Sequence, residues 1–305
     1  MTWPTLDHSA WAPTGKSLHM WAQIVGKFRL AQTPWVNHSW HATLYPNARG
    51  LTTGLLLGGF EVRFDFRAHR LEVISAEGAQ TGFDLAPMPV AAFDAAFQVA
   101  LERVGAPQAY HHFPNEVPDP VPFAQQTEPG AYDPAAAQAW WLAMTRMVPV
   151  FETFRTGFLG KVSPVHLFWG SFDVAVTRFS GRRAPLHPGG FPALPDTVTQ
   201  EAYSHEVSSA GFWGGDAETP AFFYAYAYPT PDGFAARDPG AKGAYFDKDL
   251  GEYVLPYDVV ARAEAPERLL LQFLEATYAA AADLADWDRA ALDCAYGEIC
   301  VPRPL

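Results

Sequence analysis

Five prolines, Pro114, Pro118, Pro120, Pro122 and Pro129, fall between His112 and Gly130. A segment so rich in a residue that lacks a backbone donor and has a fixed φ can neither run as a helix nor sit inside a central strand. The chain is therefore read as two parts, residues 1–112 and 131–305, joined by a proline-rich linker at 113–130. Its 305 residues suit one or two domains of ordinary size.

Each part carries periodic signals of both kinds. From Ser17 to Ala31 the apolar residues Leu18, Trp21, Ile24, Val25 and Phe28 recur at three- and four-residue steps, which predicts an amphipathic helix ended before Pro34. His38–Leu44, Phe60–Phe66 and Arg70–Ile74 are expected as strands. The last two flank a turn at Arg67-Ala68-His69, and Val62, Phe64 and Phe66 supply the apolar side of that hairpin. A helix over Val90–Val104 stops at Gly105. In the second part, Asp133-Pro134 opens a helix that runs to Gly157. Strands follow at Val165–Phe179, Tyr203–Gly211, Phe222–Tyr228 and Glu252–Leu255, before a closing helix from Pro266 to Trp287.

The element order recurs. Gly26-Lys27 leads through Pro34 to His38-Ser39-Trp40, and Gly160-Lys161 leads through Pro164 to His166-Leu167-Phe168-Trp169. The expected fold is α+β, as two tandem, duplicated α-β-β-β-β-α units with mainly antiparallel sheets packed against helices.

Composition narrows the partners. With 21 basic against 33 acidic residues, the net charge of −12 repels nucleic acid and anionic lipid. No apolar run approaches the ~20 residues of a membrane span, and Met1–Asp7 lacks the pattern of a secretory signal. The cytoplasm is the expected compartment, and oligomeric state is unreadable. Two cysteines, Cys294 and Cys300, cannot supply a disulfide framework or a four-cysteine zinc site.

Three stretches carry a resemblance that spans most of the chain. Gly160–Asp173 (GKVSPVHLFWGSFD) continues as VAVTRFSGRR to Arg183, and is joined by Glu201–Trp213 (EAYSHEVSSAGFW) and Leu18–Lys27 (LHMWAQIVGK). The sequence resembles an uncharacterised bacterial protein family of unknown function. The resemblance implies bacterial origin and one shared architecture. It implies no catalytic residue, substrate or cofactor.

Candidate chemistry is densest between His166 and Glu206. On a strand through Val165–Phe179, alternation puts Phe168, Phe172, Val174 and Val176 on the core side with His166 and Arg178 at its ends. Trp169, Ser171, Asp173 and Thr177 then share the other side, as a ligand cleft or as a half-exposed sheet face. In the next strand His205 shares a side with Tyr203 and Ser209, opposite Glu206. Asp173, His205 and Glu206 are the candidate catalytic residues, with a carboxylate as base and an arginine holding an anion.

The loop that carries Arg182, Arg183 and His187 offers a bidentate grip on carboxylate or phosphate, or else plain solvated arginines. Trp169, Ser171, Arg178, Trp213 and Tyr226 complete the ligand-binding set. His166, His187 and His205, with Asp173 or Glu206, have the composition of a zinc, iron or nickel site, although satisfied or exposed histidines explain the same residues. Neither an H-E-x-x-H pair, a phosphate-binding glycine loop nor a G-x-S-x-G elbow is present.

Three readings follow. The chain is an enzyme acting on a small polar or anionic organic molecule in a pocket of the second part, or a non-catalytic binding protein with a pocket lined by Trp40, Trp169, Trp213 and Tyr226. The third is a structural or interaction protein without a pocket. The polar residues cluster in the second part, whereas the first offers mainly His38, His41 and Arg49, so a pocket of the second part that binds or acts on a small molecule is the expectation; the cofactor, a divalent metal or none, stays open.

Overall fold

A computed structural model describes residues 2–303. Helix α1 (His8–Ala31) begins at Asp7, whose carboxylate accepts from the backbone N–H groups of Ser9 and Ala10. It tolerates Pro13 near its start and begins nine residues earlier than the apolar periodicity alone marks. A five-stranded antiparallel meander follows: β1 (Tyr45–Pro46), β2 (Gly50–Thr52), β3 (Phe60–Asp65), β4 (Arg70–Ser75) and β5 (Gln80–Asp84). Helix α2 (Val90–Arg103) covers its apolar face. There Trp21 stacks on Phe93 at 5.0 Å between ring centroids, and Phe93 stacks in turn on Phe64 at 6.2 Å. Each such ring contributes on the order of 2–3 kcal/mol by leaving water.

Helix α3 (Pro134–Thr156) starts with Pro134 at its first turn and Asp133 as its cap, as the Asp-Pro pair predicts. The second sheet has the spatial order β10-β11-β9-β8-β7-β6 and is antiparallel throughout. Its strands are β6 (His166–Phe168), β7 (Asp173–Arg183), β8 (His205–Trp213), β9 (Phe222–Tyr228), β10 (Tyr245–Asp247) and β11 (Glu252–Pro256). Four helices accompany it: α4 (Asp196–Ala202), α5 (Tyr257–Ala261), α6 (Pro266–Leu284) and α7 (Arg289–Leu292). The architecture is α+β with two antiparallel sheets.

Two expectations are corrected. His38–Leu44 is not a strand: Asn37–Ala42 forms 3-10 turns broken at His38 and Ser39, which hold φ of 59° and 58°. Val165–Phe179 is not one strand, because Trp169–Phe172 turns the chain tightly from β6 into β7, with Phe172 at φ 59°. Left-handed backbone at a non-glycine residue costs on the order of 1 kcal/mol, so neither feature is visible to a propensity argument.

The two sheets meet through the backbone. Leu44 and Leu167 exchange hydrogen bonds, Leu44 N–H to Leu167 O at 2.9 Å and Leu167 N–H to Leu44 O at 2.7 Å. One contiguous hydrophobic core includes Phe64 and Phe93 from the first part and Phe151 and Phe223 from the second.

The proline-rich segment is tied down rather than slack. Buried Gln23 of α1 accepts from Asn115 N–H at 2.8 Å and donates to Asn115 O at 2.7 Å. Glu116 N–H donates to Pro192 O at 2.7 Å, and the Asn115 side-chain amide donates to Ala193 O. Residues 113–116 thus form a strap between α1 and the loop before α4.

Close approach sets the seat of α1 on the β6–β7 turn. A Cβ at Gly26 would run into the indole of Trp169, so only glycine lets the ring lie against the helix backbone. Gly26→Ala gains up to about 1 kcal/mol of helix propensity, and forcing the indole aside costs about 1–3 kcal/mol. We expect a net loss of about 1–2 kcal/mol by urea denaturation; a stabilised variant would mean that Trp169 yields freely.

Candidate functional site

Strand alternation gives the second sheet two unlike faces. Val174, Val176 and Phe212 point into the core, where α3 and α6 cover the sheet. Asp173, Ala175, Thr177 and Phe179 of β7 point the other way, with Ser209 and Trp213 of β8 and Phe222, Tyr224 and Tyr226 of β9. Cross-strand register aligns these positions, with Asp173 opposite Trp213, Thr177 opposite Ser209 and Ser209 opposite Tyr226. This face is the floor of a cavity of about 750 Å³, within the size range of small-molecule sites.

The roof comes from elsewhere in the chain. Lys27 and Leu30 of α1, the turns at 38–42, the strap residues Asn115 and Glu116, and Thr199 and Tyr203 around α4 close over the floor. Lys27 belongs to a polar stripe, His19, Gln23 and Lys27, at four-residue spacing along α1. His19 donates from Nε2 to Gly170 O at 2.7 Å and stacks on Phe172 at 5.1 Å. Its burial lowers its pKa to about 4, so it is neutral at pH 7. Lys27 Nζ lies 5.3 Å from the centre of the Trp169 ring.

The electrostatics are dominated by three carboxyls that line the cavity: Glu116, Asp173 and Glu252. Asp173 is buried and accepts from the hydroxyls of Ser171 and Tyr224. Burial raises its pKa, and these two hydrogen bonds oppose the rise. Burial, with the Asp173 charge adding to it, pushes Glu116 up to about 7 while Lys27 pulls it back. Glu252 is likewise pushed up to about 7, by burial and then by Asp173 and Asp247. Burial lowers Lys27 to about 8 against the pull of Glu116. Three carboxyls and one ammonium thus line a single partly enclosed space.

Four side chains of the lining also hold buried polar atoms with no partner: Trp169 Nε1, Ser39 Oγ, His41 Nε2 and Thr199 Oγ1. Trp169, His41 and Thr199 are exposed by only 7%, 4% and 2%, so each such atom leaves a desolvation cost of about 1–3 kcal/mol standing.

Of the residues singled out in the sequence, Trp169, Ser171, Asp173, Trp213 and Tyr226 line this cavity. Arg178, Arg182, Arg183, His187, His205 and Glu206 do not. Arg178 has the other parity of β7 and is buried in the core, 3.1 Å from Glu275 and with its guanidinium 3.5 Å from the centre of the Phe154 ring. Arg182 donates to Glu206 at 2.9 Å, and Ser180 donates to the same carboxylate at 2.8 Å. Arg183 is exposed at the end of β7.

The three histidines offered for a metal are not brought together. His166 is fully buried beside Phe168, its ring nitrogens unpartnered and its pKa lowered to about 3 by burial, with Arg155 and Arg29 adding. His187 stacks on Tyr203 at 4.7 Å, and His205 has its ring 5.9 Å from His38. Among the described residues no three or more His, Cys, Asp or Glu side chains are grouped so as to hold a metal ion.

Lys27, Glu116 and Glu252 were absent from the set drawn from the sequence. The four-residue polar stripe on α1 was a legible sign of Lys27. Glu252 shares strand parity with buried Val254, a weaker sign. Glu116 had none, since only the strap brings it in.

The sequence model of a family described as "Family of unknown function (DUF5996)" matches residues 3–294. No curated protein and no solved structure matches the chain. Among the described residues no helix is long and apolar enough to cross a membrane.

The raised carboxyls carry a pH signature. An unfolded glutamate ionises near 4.5, and folded Glu116 and Glu252 ionise only near 7. Between those values the folded chain holds the extra protons, so their contribution to stability falls as pH rises through that window and is level on either side. Glu116→Gln removes part of this slope. Urea midpoints should show the variant stabilised by about 1–3 kcal/mol at pH 8 and little changed at pH 4.5; equal offsets at both pH values would mean that Glu116 ionises normally.

Proposed function

The chain belongs to this family of unknown function across nearly its whole length, and we propose that it takes up a small polar organic molecule in the cavity between the second sheet and α1. The observation that carries this reading is the combination of an aromatic wall, three carboxyls, that of Asp173 buried and those of Glu116 and Glu252 half-buried, and several unpartnered polar atoms around one space of about 750 Å³. A folded protein leaves buried polar groups unpaired where a ligand or ordered water completes them, and the mixture of apolar wall and few polar groups is that of a ligand site. In this reading residues 1–112 and 131–305 are two α+β halves, and 113–130 is the linker whose first residues, 113–116, form the strap that carries Glu116.

Glu116 and Glu252 near pH 7 favour a second reading, in which the bound molecule also exchanges a proton with one of them, since a carboxyl near neutrality serves as both acid and base. The arginines proposed for an anion point elsewhere, which favours a neutral or cationic polar molecule.

The test is ligand-observed NMR with a mixed library of neutral, cationic and anionic polar fragments. It compares the wild type with Ala175→Leu, which fills the cavity floor. Binders should lose at least about tenfold in affinity in the variant, which a circular dichroism spectrum shows to be folded. Binders held equally by both proteins, or no binder in the library, would sink the proposal.

A further inference from the structure

Among polar molecules, the charge and the wall chemistry of this cavity select one class. We propose that the cavity is a site for an organic ammonium ion, a protonated or quaternary amine on a small apolar body, with Asp173 as the central counter-ion and the surrounding aromatic rings as its cage. The inference rests on the reading that the cavity is a ligand site and adds the charge of what enters.

Three observations lead to it. Asp173 is buried and donated to only by the uncharged hydroxyls of Ser171 and Tyr224. It has no salt-bridge partner among the described residues, in a chain that pairs Arg49 with Asp65 and Arg178 with Glu275. Glu116 and Glu252 also line the cavity, whereas Lys27 is the lone lysine or arginine of the lining. A buried negative charge without a partner is costly, and a cationic ligand is the chemistry that relieves it.

The second observation is the wall. Trp213 stands across the sheet from Asp173 and packs against Phe222 at 5.3 Å, and Tyr224, which donates to Asp173, stacks on Tyr226 at 6.1 Å. Aromatic faces around a carboxylate attract ammonium groups through their quadrupoles, and they do so without the strict hydrogen-bond geometry that a quaternary ammonium cannot meet. The molecule already shows this preference in the roof, where Lys27 lies over Trp169 at 5.3 Å.

Third, Trp169, more than nine-tenths buried, carries an Nε1–H with no acceptor. An acceptor oxygen on the same small molecule, the hydroxyl of an amino alcohol for instance, meets that donor. The ligand class is thus an organic ammonium that also carries an acceptor oxygen.

The experiment is isothermal titration of the full chain with three probes of one shape: choline, its uncharged isostere 3,3-dimethyl-1-butanol, and the anion 3,3-dimethylbutyrate. Choline should bind at least about tenfold more tightly than the other two. Asp173→Asn, which keeps the size and hydrogen-bonding reach of the side chain, should erase that preference, and Trp213→Leu should weaken choline while sparing the butanol. Because Asp173 is buried, Glu252→Gln is a second charge-removing variant, expected to reduce choline affinity several-fold.

Equal binding of choline and the butanol, or preference for the butyrate, would overturn the ammonium assignment and leave the ligand-site reading intact. Failure of choline to bind at millimolar concentration would overturn the assignment as well. Fragment binding that Ala175→Leu does not weaken would remove the ligand-site reading beneath it.

Discussion

The amide of Gln23 grips the backbone of Asn115 at both its N–H and its carbonyl, and the arrangement of the cavity follows from that grip. A buried glutamine in mid-helix must have its donor and acceptor met. Gln23 meets them with the strap, which carries Glu116 over Gly170 and against the loop at Pro192. Four residues along α1, Lys27 then lies over Trp169, and three along, Gly26 leaves room for that same indole. A single helix face thereby positions the turn into β7, the strap, and one charge of each sign.

The second dependency is the pleat of β7. Alternate residues send Val174, Val176 and Arg178 toward α3 and α6, and Asp173, Ala175 and Thr177 toward the cavity. The same alternation therefore builds the hydrophobic core and the polar floor, and a slip of one residue would exchange them. Arg178 in the core is tolerable because Glu275, the Phe154 carbonyl and the rings of Phe154 and Tyr278 surround its guanidinium. On the opposite face Asp173 has only hydroxyls. This inequality, a charge-paired cation inside and an unpaired anion in the cavity, gives the site its character.

Legibility in the sequence tracks how local each signal is. Helices α2, α3 and α6, the β3–β4 hairpin and β9 follow from periodicity, the Asp133-Pro134 start and the glycine stops, because those signals act within a few residues. Parity along β7 was also readable, and it put Asp173 and Thr177 on one side. The same parity argument placed Arg178 with the core residues, yet its guanidinium looked available for a ligand until Glu275 and Phe154 were seen around it. The turns at His38 and Phe172 were read as strand because their left-handed backbone is held by tertiary contacts, with Glu201 accepting from His38 N–H at 2.9 Å.

What the sequence by itself determined is the alternation of helices and antiparallel strands, the apolar face of each, and the clustering of Trp169, Ser171 and Asp173 near one turn. These are consequences of period, propensity and turn chemistry, which are properties of neighbours along the chain. Only the tertiary structure decided that Glu116 from the proline-rich strap and Glu252 from β11 join Asp173, and that His166, His187 and His205 stay apart. The reason is physical. Bringing charges from distant segments into one partly enclosed space is favoured by no local interaction, and it is enforced by the packing of α1, the strap and the sheet around them.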